Sequence, residues 1–448
     1  MTVSTGVLMS KEALIRQSLR RNESWPGGVE KSTPNEKKQG KTGLLDTSDT
    51  ERSSRDDLPT GQVEAGQLQP PSPWLYTSGK FKNGVVGLDN HGLTCCINAV
   101  LQSFYLTPEF TSILQRLDLK KEVVGPTNIP SAMHRLFEQM QASGGHVKRA
   151  DTFLHCLAQN GVRVNRQHDA EELFLIILNF LMDQLQAPER AKELRSLYGI
   201  KLEQFVKCDC GDVTVRDSNF LSLPLPLKKA MFNGYFQLEE ILRTFFEPQE
   251  LTWGDQRLCP GCKKSRPAKQ GFNIVALPEI LNLQLNRFRA APSMSCFTEK
   301  IYSIVKFPEI MNLNGLPISE KTQECGIGQE YWHYQLYAVL AHYGSAFFGH
   351  YTVYVKSFKD SKWYHIDDSR VCQVDWNRVK RTFGCCDRRC CCSEFVLMWP
   401  SLRPNKVHWK NLQSNIRPFW GMRGETAYML LYKRVKQEET KALSARGQ

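Results

Sequence analysis

Residues 87–102 read GLDNHGLTCCINAVLQ and set two adjacent cysteines, Cys95 and Cys96, at the head of an apolar run. Gly87, Gly92 and the Asn-His-Gly triplet make the approach to them irregular. From Cys95 onward, Cys96, Ile97, Val100, Leu101 and Phe104 recur at helical spacing, and Pro108 is expected to end the run. Cys95 therefore falls at or near a helix N-terminus. There, aligned peptide dipoles and free N–H groups favour negative charge, the condition under which thiols become nucleophiles. Free cysteine is also among the most buried residue types, so a packed structural pair competes with the reactive reading on this stretch alone.

The chain around this helix has 448 residues, enough for one large domain or two to three ordinary ones. No run approaches the roughly 18–20 apolar residues that span a bilayer. The opening MTVSTGVLMSKEALIRQSLRR lacks the apolar core of a secretory signal. Fifteen cysteines, an odd number, then favour reduced thiols and metal ligands over a disulfide framework. A cytoplasmic protein is expected, with the nucleus as a second compartment. The net charge of +12 is uneven: residues 385–424 hold seven basic and two acidic residues, whereas 1–80 hold eleven and ten. No long basic block remains elsewhere, so neither nucleic acid nor membrane insertion is expected, and a monomer is.

Residues 1–80 are rich in Ser, Thr, Gly, Pro and charge without a hydrophobic period. That composition predicts a disordered tail with at most a short helix at 10–20, and Met9 offers an alternative start. A packed domain is expected over 81–434, followed by a C-terminal tail, 435–448. Periodicity predicts helices over 95–106, 130–142, 151–159 and 169–187. Beyond about residue 200, β-branched and aromatic stretches alternate with turn residues, as in LSLPLPL, HYTVYVKSF and KWYHIDDS. Helices first and strands second describe an α+β fold.

A nucleophilic cysteine needs a base and a group that orients the base. His350, with a glycine before it and an alternating strand after it, is the candidate base. Asp367 and Asp368 end another predicted strand, and a hairpin would bring an acid to the imidazole. A lone histidine before a strand is more often structural; the ordered set of cysteine, histidine and aspartate carries the catalytic reading.

These segments resemble the ubiquitin-specific protease family. GLDNHGLTCCINAVLQ looks like its cysteine box and QHDAEELF (167–174) like its glutamine–aspartate box. ALPEILNLQLNRF (276–288) and KFP (306–308) look like its core strands, and YQLYAVLAHYGSAFFGHYTVYV with KWYHIDDSRV like its histidine box. The boxes stand in the family's order over roughly 81–384 and 425–434. The resemblance implies a papain-like cysteine-protease fold of thumb, palm and fingers. It implies that Cys95 attacks a glycine-terminated isopeptide bond, that His350 takes and returns the proton, and that Asp367 holds the imidazole with Asp368 beside it. Asn90 would donate to the oxyanion, although by itself it reads as a turn residue. Asp169 and Glu172, one helical turn apart, would face the arginine of an Arg-Gly-Gly substrate tail, with a solvated helix face as the plain alternative; Glu171 would point elsewhere.

Most family members carry an aromatic residue where Cys96 stands. The Cys95–Cys96 pair, the short architecture and ETAYMLLYKR resemble the interferon-induced member that removes the interferon-response ubiquitin-like modifier. That member also dampens interferon-receptor signalling by binding. The implied partners are the modifier with its protein conjugates and the interferon receptor complex, and a non-catalytic scaffold is the competing function.

CDC at 208–210 and CPGC at 259–262 resemble the paired knuckles of the family's zinc ribbon. The first knuckle is one residue short, with Lys207 where the first ligand is expected. Cys208, Cys210, Cys259 and Cys262 are thus the candidate ligands of a structural zinc, with a metal-free ribbon as the alternative; no cofactor is expected for catalysis. Residues 385–424 depart from the family pattern and hold five of the fifteen cysteines and three of the nine tryptophans. This insertion is expected to loop out and leave the last strand free to pair, since closure entropy grows only slowly with length.

Overall fold

The computed structural model of the chain describes residues 84–90, 92–117, 125–227, 235–251, 258–291, 294–324, 332–346, 348–384 and 424–435. The N-terminal tail, residues 385–423 of the insertion and residues 436–448 lie outside the described residues.

The first half is helical, as its periodicity requires. Helix α1 (Cys95–Tyr105) is buried along its whole length. α1 stops at Tyr105, ahead of Pro108 as expected, and Pro108 then opens α2 (Pro108–Gln115), in the first turn, where its missing N–H would have no partner anyway. Next come α3 (Ile129–Ala142), whose first turn is capped by the Asn128 side chain accepting from Ser131 N at 2.7 Å, and α4 (Asp151–Gln159). Helices α5 (Ala170–Gln184) and α6 (Pro188–Tyr198) complete the layer. Phe104 stacks on Phe110 and Phe174 at centroid distances of 4.5 and 4.6 Å, and Tyr198 meets all three rings edge-on. One aromatic centre thus ties α1, α2, α5 and α6 together.

Strands take over at Ile200. β1 (Ile200–Cys208) and β2 (Val213–Phe220) form a hairpin, followed by β3 (Leu223–Pro226), β4 (Tyr235–Gln237), α7 (Leu238–Phe246), β5 (Gln249–Leu251) and β6 (Ala268–Ala276). An antiparallel sheet in the order β2-β1-β6-β5 forms the fingers. The chain continues through β7 (Ile280–Asn286), β8 (Phe288–Ala291), β9 (Met294–Lys300), β10 (Ile304–Lys306), β11 (Ile310–Asn312) and the short α8 (Glu320–Glu324). It ends with β12 (His333–Gly344), β13 (Gly349–Lys356), β14 (Trp363–Asp367), β15 (Arg370–Val374), α9 (Trp376–Lys380) and β16 (Thr426–Val435). The main sheet runs β15-β14-β13-β12-β16-β7-β3, with β11 on β12, and is antiparallel except where β3 meets β7.

Both faces of this sheet are covered. Tyr337 and Leu340 of β12 pack against the helices, whereas Leu336 and Val339 face the second apolar cluster with α7 and the base of the fingers. Two-sided burial accounts for the continuous apolar run YAVLA, which a half-exposed strand would not show.

Arg287, between β7 and β8, is fully buried and donates to four backbone carbonyls: Ala427 at 2.7 Å, Ile301 and Ser303 at 2.9 Å, and Phe383 at 3.0 Å. Phe383 precedes the insertion and Ala427 follows it, so one guanidinium ties the chain where it leaves and where it returns. β16 pairs with β12 and β7 regardless of the forty residues before it. Replacing residues 386–423 by a short Gly-Ser linker is therefore expected to shift the thermal midpoint by only a few degrees. Loss of the cooperative transition in that deletion, read by circular dichroism, would show the insertion to be part of the fold.

Candidate active site

Cys95 is the first residue of α1 and Thr94 its N-cap, so the thiol sits at the helix N-terminus. Thr94 does not cap with its own oxygen; its N–H and hydroxyl both donate to Asn90 Oδ1, at 3.3 and 3.0 Å. Cys96 is 1 % exposed, and burial, followed by the neighbouring Cys95, raises its pKa well above the ordinary thiol value. It is packed, as its place one step round the helix suggests.

His350 stands at the start of β13 and Asp367 at the end of β14, and the antiparallel pairing of these strands joins them. His350 Nε2 and Asp367 Oδ1 lie 2.6 Å apart, and Asp368 Oδ2 is 3.7 Å from the same nitrogen. Burial disfavours the charged ring. The hydrogen bond to Asp367, with the neighbouring Cys95 acting in the same direction, outweighs it and pushes the His350 pKa up to about 10. The imidazole thus favours its protonated form at neutral pH, oriented by a carboxylate and with Cys95 among its neighbours.

Asp368 follows Asp367 without continuing the strand. Its φ of 53° turns the chain, an excursion into the left-handed region that aspartate tolerates better than most residues. The turn carries its carboxylate to Asn90 Nδ2 at 2.8 Å and Asn98 Nδ2 at 2.9 Å. Asn90 therefore sits between Thr94 and Asp368, in register with Cys95. Asn98 escaped the sequence reading: it is 2 % exposed and also donates to Asp89 O at 3.2 Å. Its signal was an amide inside the otherwise apolar run CCINAVL, a group that must find partners once buried. Gln167, the first residue of QHDAEELF, donates through Nε2 to Gly349 O at 2.9 Å, next to His350.

Asp169 is the N-cap of α5. Its Oδ1 accepts from Glu171 N at 2.9 Å and Glu172 N at 3.2 Å, and its Oδ2 accepts from the Tyr428 hydroxyl. Both oxygens thus serve the fold itself. Glu171 is buried and Glu172 half-buried, so of the two residues expected at a substrate tail, Glu172 is the one without a capping duty.

In the fingers, the thiol sulfurs of Cys208, Cys210, Cys259 and Cys262 all lie within 4.8 Å of one another. Cys210 and Cys259 are 3.6 Å apart, near the spacing of about 3.8 Å set by a tetrahedral ion with Zn–S bonds of about 2.3 Å. The short first knuckle is absorbed by a tight turn in which Cys208 N donates to Asp212 O and Gly211 adopts φ 94°. Lys207 remains in the β1 ladder, opposite Val213 and Lys269. The donor set fits a zinc ion with no position left open.

Among the described residues no helix is long and apolar enough to cross a membrane.

Residues 86–432 match the family described as ubiquitin carboxyl-terminal hydrolase, UCH, and the chain belongs to that family. It is a cysteine-type hydrolase of ubiquitin or ubiquitin-like modifiers, with the α+β papain-like fold of the ubiquitin-specific proteases. Among its relatives, the human "Ubl carboxyl-terminal hydrolase 18" is 31 % identical over 369 residues, covering 82 % of this chain and 88 % of the relative. The mouse protein of that name is 34 % identical over 312 residues, 69 % of this chain and 84 % of the relative. The Drosophila melanogaster "Ubiquitin carboxyl-terminal hydrolase 47" is 26 % identical over 363 residues, 67 % of this chain but only 23 % of that longer protein. The likeness expected from the paired cysteines and ETAYMLLYKR is thus matched by similarity along most of the chain.

The raised His350 pKa has a consequence for stability. A histidine that titrates near 6.5 when unfolded and at about 10 when folded stabilises the native state fully below about pH 6.5. That contribution is lost as the pH rises through about 10. Denaturant midpoints are expected to decline across this window, and Asp367→Asn is expected to flatten the decline. An equal slope in both proteins would place the stabilising partner elsewhere.

Proposed function

We propose that the chain cleaves the interferon-response ubiquitin-like modifier from lysines of its target proteins, acts in the cytoplasm, and thereby tempers interferon signalling. Support comes from the two relatives described as Ubl hydrolases and from the Cys95–Cys96 pair. The observation that carries the chemistry is the His350–Asp367 hydrogen bond beside a thiol at the head of α1.

In this reading, Cys95 Sγ adds to the carbonyl carbon of the modifier's terminal glycine. Negative charge moves to the carbonyl oxygen, where the second N–H of the Asn90 amide, the first being held by Asp368, supplies a hydrogen bond. A donor of this kind contributes on the order of 3 kcal/mol to transition-state stabilisation. Collapse breaks the C–N bond, and the lysine nitrogen leaves with the proton held by His350. Water, deprotonated by His350, then hydrolyses the thioester and restores the thiol. Asp367 keeps the ring oriented and transfers no proton itself. Glu172 is assigned to the arginine of the modifier's tail, with Asp169 holding the helix start that presents it. The four finger cysteines are assigned to a structural zinc.

Reaction with ubiquitin and with the interferon-response modifier, each carrying a C-terminal electrophile, tests this directly. The second is expected to give the faster covalent adduct. Cys95→Ala should abolish it, and Cys96→Ala should leave it. An adduct lost only in folded Cys96→Ala would overturn the nucleophile assignment, and a clear preference for ubiquitin would overturn the substrate.

The zinc assignment predicts one ion per chain and a lower thermal midpoint in Cys259→Ser/Cys262→Ser. Stoichiometric zinc that survives the double substitution would refute it.

A further inference from the structure

Lys300, the last residue of β9, is buried, and its amine has no part in the chemistry described above. Nζ donates to His342 O at 2.7 Å and to Gly344 O at 3.1 Å. These carbonyls lie at the end of β12, where that strand outruns its neighbour. The last β12–β16 pair is His342 with Thr426, whose hydroxyl reaches His342 O at 3.3 Å. Past that pair β16 offers no further rung, and Lys300 with the Tyr302 hydroxyl, 3.0 Å from Gly344 O, supplies the donors instead.

The opposite edge of the same three residues pairs with β13: His342 with Tyr351, Tyr343 with His350, and Gly344 with Gly349. The turn between them is short. Gly344 adopts φ 98°, and Ser345 N donates to Phe348 O at 2.8 Å. Below it, the His342 ring fills the space over Gly349 so closely that a Cβ there would lie 1.9 Å from Nε2.

We infer that Lys300 is a positioning residue for the hydrolysis: its amine completes the unpaired edge of β12 and so fixes the strand end from which His350 is presented to Cys95. Two further observations fit this role. Burial and the nearby Arg287 push the Lys300 pKa down to about 6, so the amine is mostly neutral at neutral pH. A neutral amine has two N–H donors, and the two carbonyls use both. Leaving those carbonyls without a donor in a buried place would loosen the strand end, since unpaired buried polar groups are costly.

The inference rests on His350 being the base, and the test keeps the two claims apart. Full-length enzyme is assayed on a fluorogenic modifier conjugate, with kcat and KM measured separately. Lys300→Met is expected to lower kcat about tenfold or more while KM stays within about threefold, because a displaced base slows the chemical step more than it weakens binding. Tyr302→Phe, which removes the second donor at Gly344, should lower kcat by about two- to threefold with an unchanged thermal midpoint. Unchanged kcat in folded Lys300→Met overturns the inference, as does a rise in KM alone. If Lys300→Met does not fold, Tyr302→Phe decides: a lower kcat at equal stability supports the role, and wild-type kcat overturns it. Full activity in His350→Ala would instead remove the base assignment on which the role depends.

Discussion

The turn at Asp368 and Ser369 is the joint at which the helical and sheet halves of this protein meet. The backbone carbonyl of Asp368 accepts from Leu88 N at 3.0 Å, and its carboxylate accepts the Asn90 and Asn98 amides. Gly87 makes the approach possible, since a Cβ there would sit 2.5 Å from Ser369 O. One apolar core already joins the helices to the sheet; this contact fixes where the head of α1, with Cys95, sits against the end of β14. Because Asp367 holds the imidazole and its neighbour holds the helix, one left-handed residue sets the spacing between nucleophile and base.

The remainder of the architecture keeps that joint from moving. α1 packs on β13, and its aromatic neighbours lock it to the other helices. Behind the sheet, Arg287 draws four carbonyls from three parts of the chain onto one guanidinium without a carboxylate among those partners. Glu425 plays a similar part in front of β16, accepting from Thr352 at 2.9 Å and from Tyr354, both on β13. Burial opposes the charge of Glu425, but His365, Tyr354 and Arg378 outweigh it and hold its pKa down to about 2. Arg287 and Glu425 thus both hold the chain at the start of β16, where it re-enters the sheet.

Much of this was legible in the sequence for identifiable reasons. The four helices read from periodicity lie within a few residues of their observed bounds, because each has one strongly apolar face. Pro108 was read only in half: it does follow the end of α1, but it also opens α2, and spacing alone does not show that second role. α2 and α6 were missed for that reason, both opening on proline. In the site, Cys95, His350 and the two aspartates were readable as types in order. Asp367 as the partner of His350 came from the family resemblance; that Asp368 turns to hold Asn90 and Asn98 was not legible, because it depends on a positive φ that no pattern announces. Asn98, Gln167 and Lys300 were invisible as partners, since each meets groups far away in sequence, whereas the double duty of Asp169 as cap and Tyr428 acceptor hides behind a motif read for substrate.

The position of β16 bears on how the protein is made. It lies between β7 and β12, although it comes from residues 426–435, long after both neighbours have been synthesised. While the intervening chain is emerging from the ribosome, β7 and β12 each present an unpaired, largely apolar edge, the kind of surface that recruits strands from other molecules. The sheet that presents His350 can close only when the final strand slides between two finished halves. The site's sheet is therefore complete only once residues 426–435 have been made and have taken their place between β7 and β12.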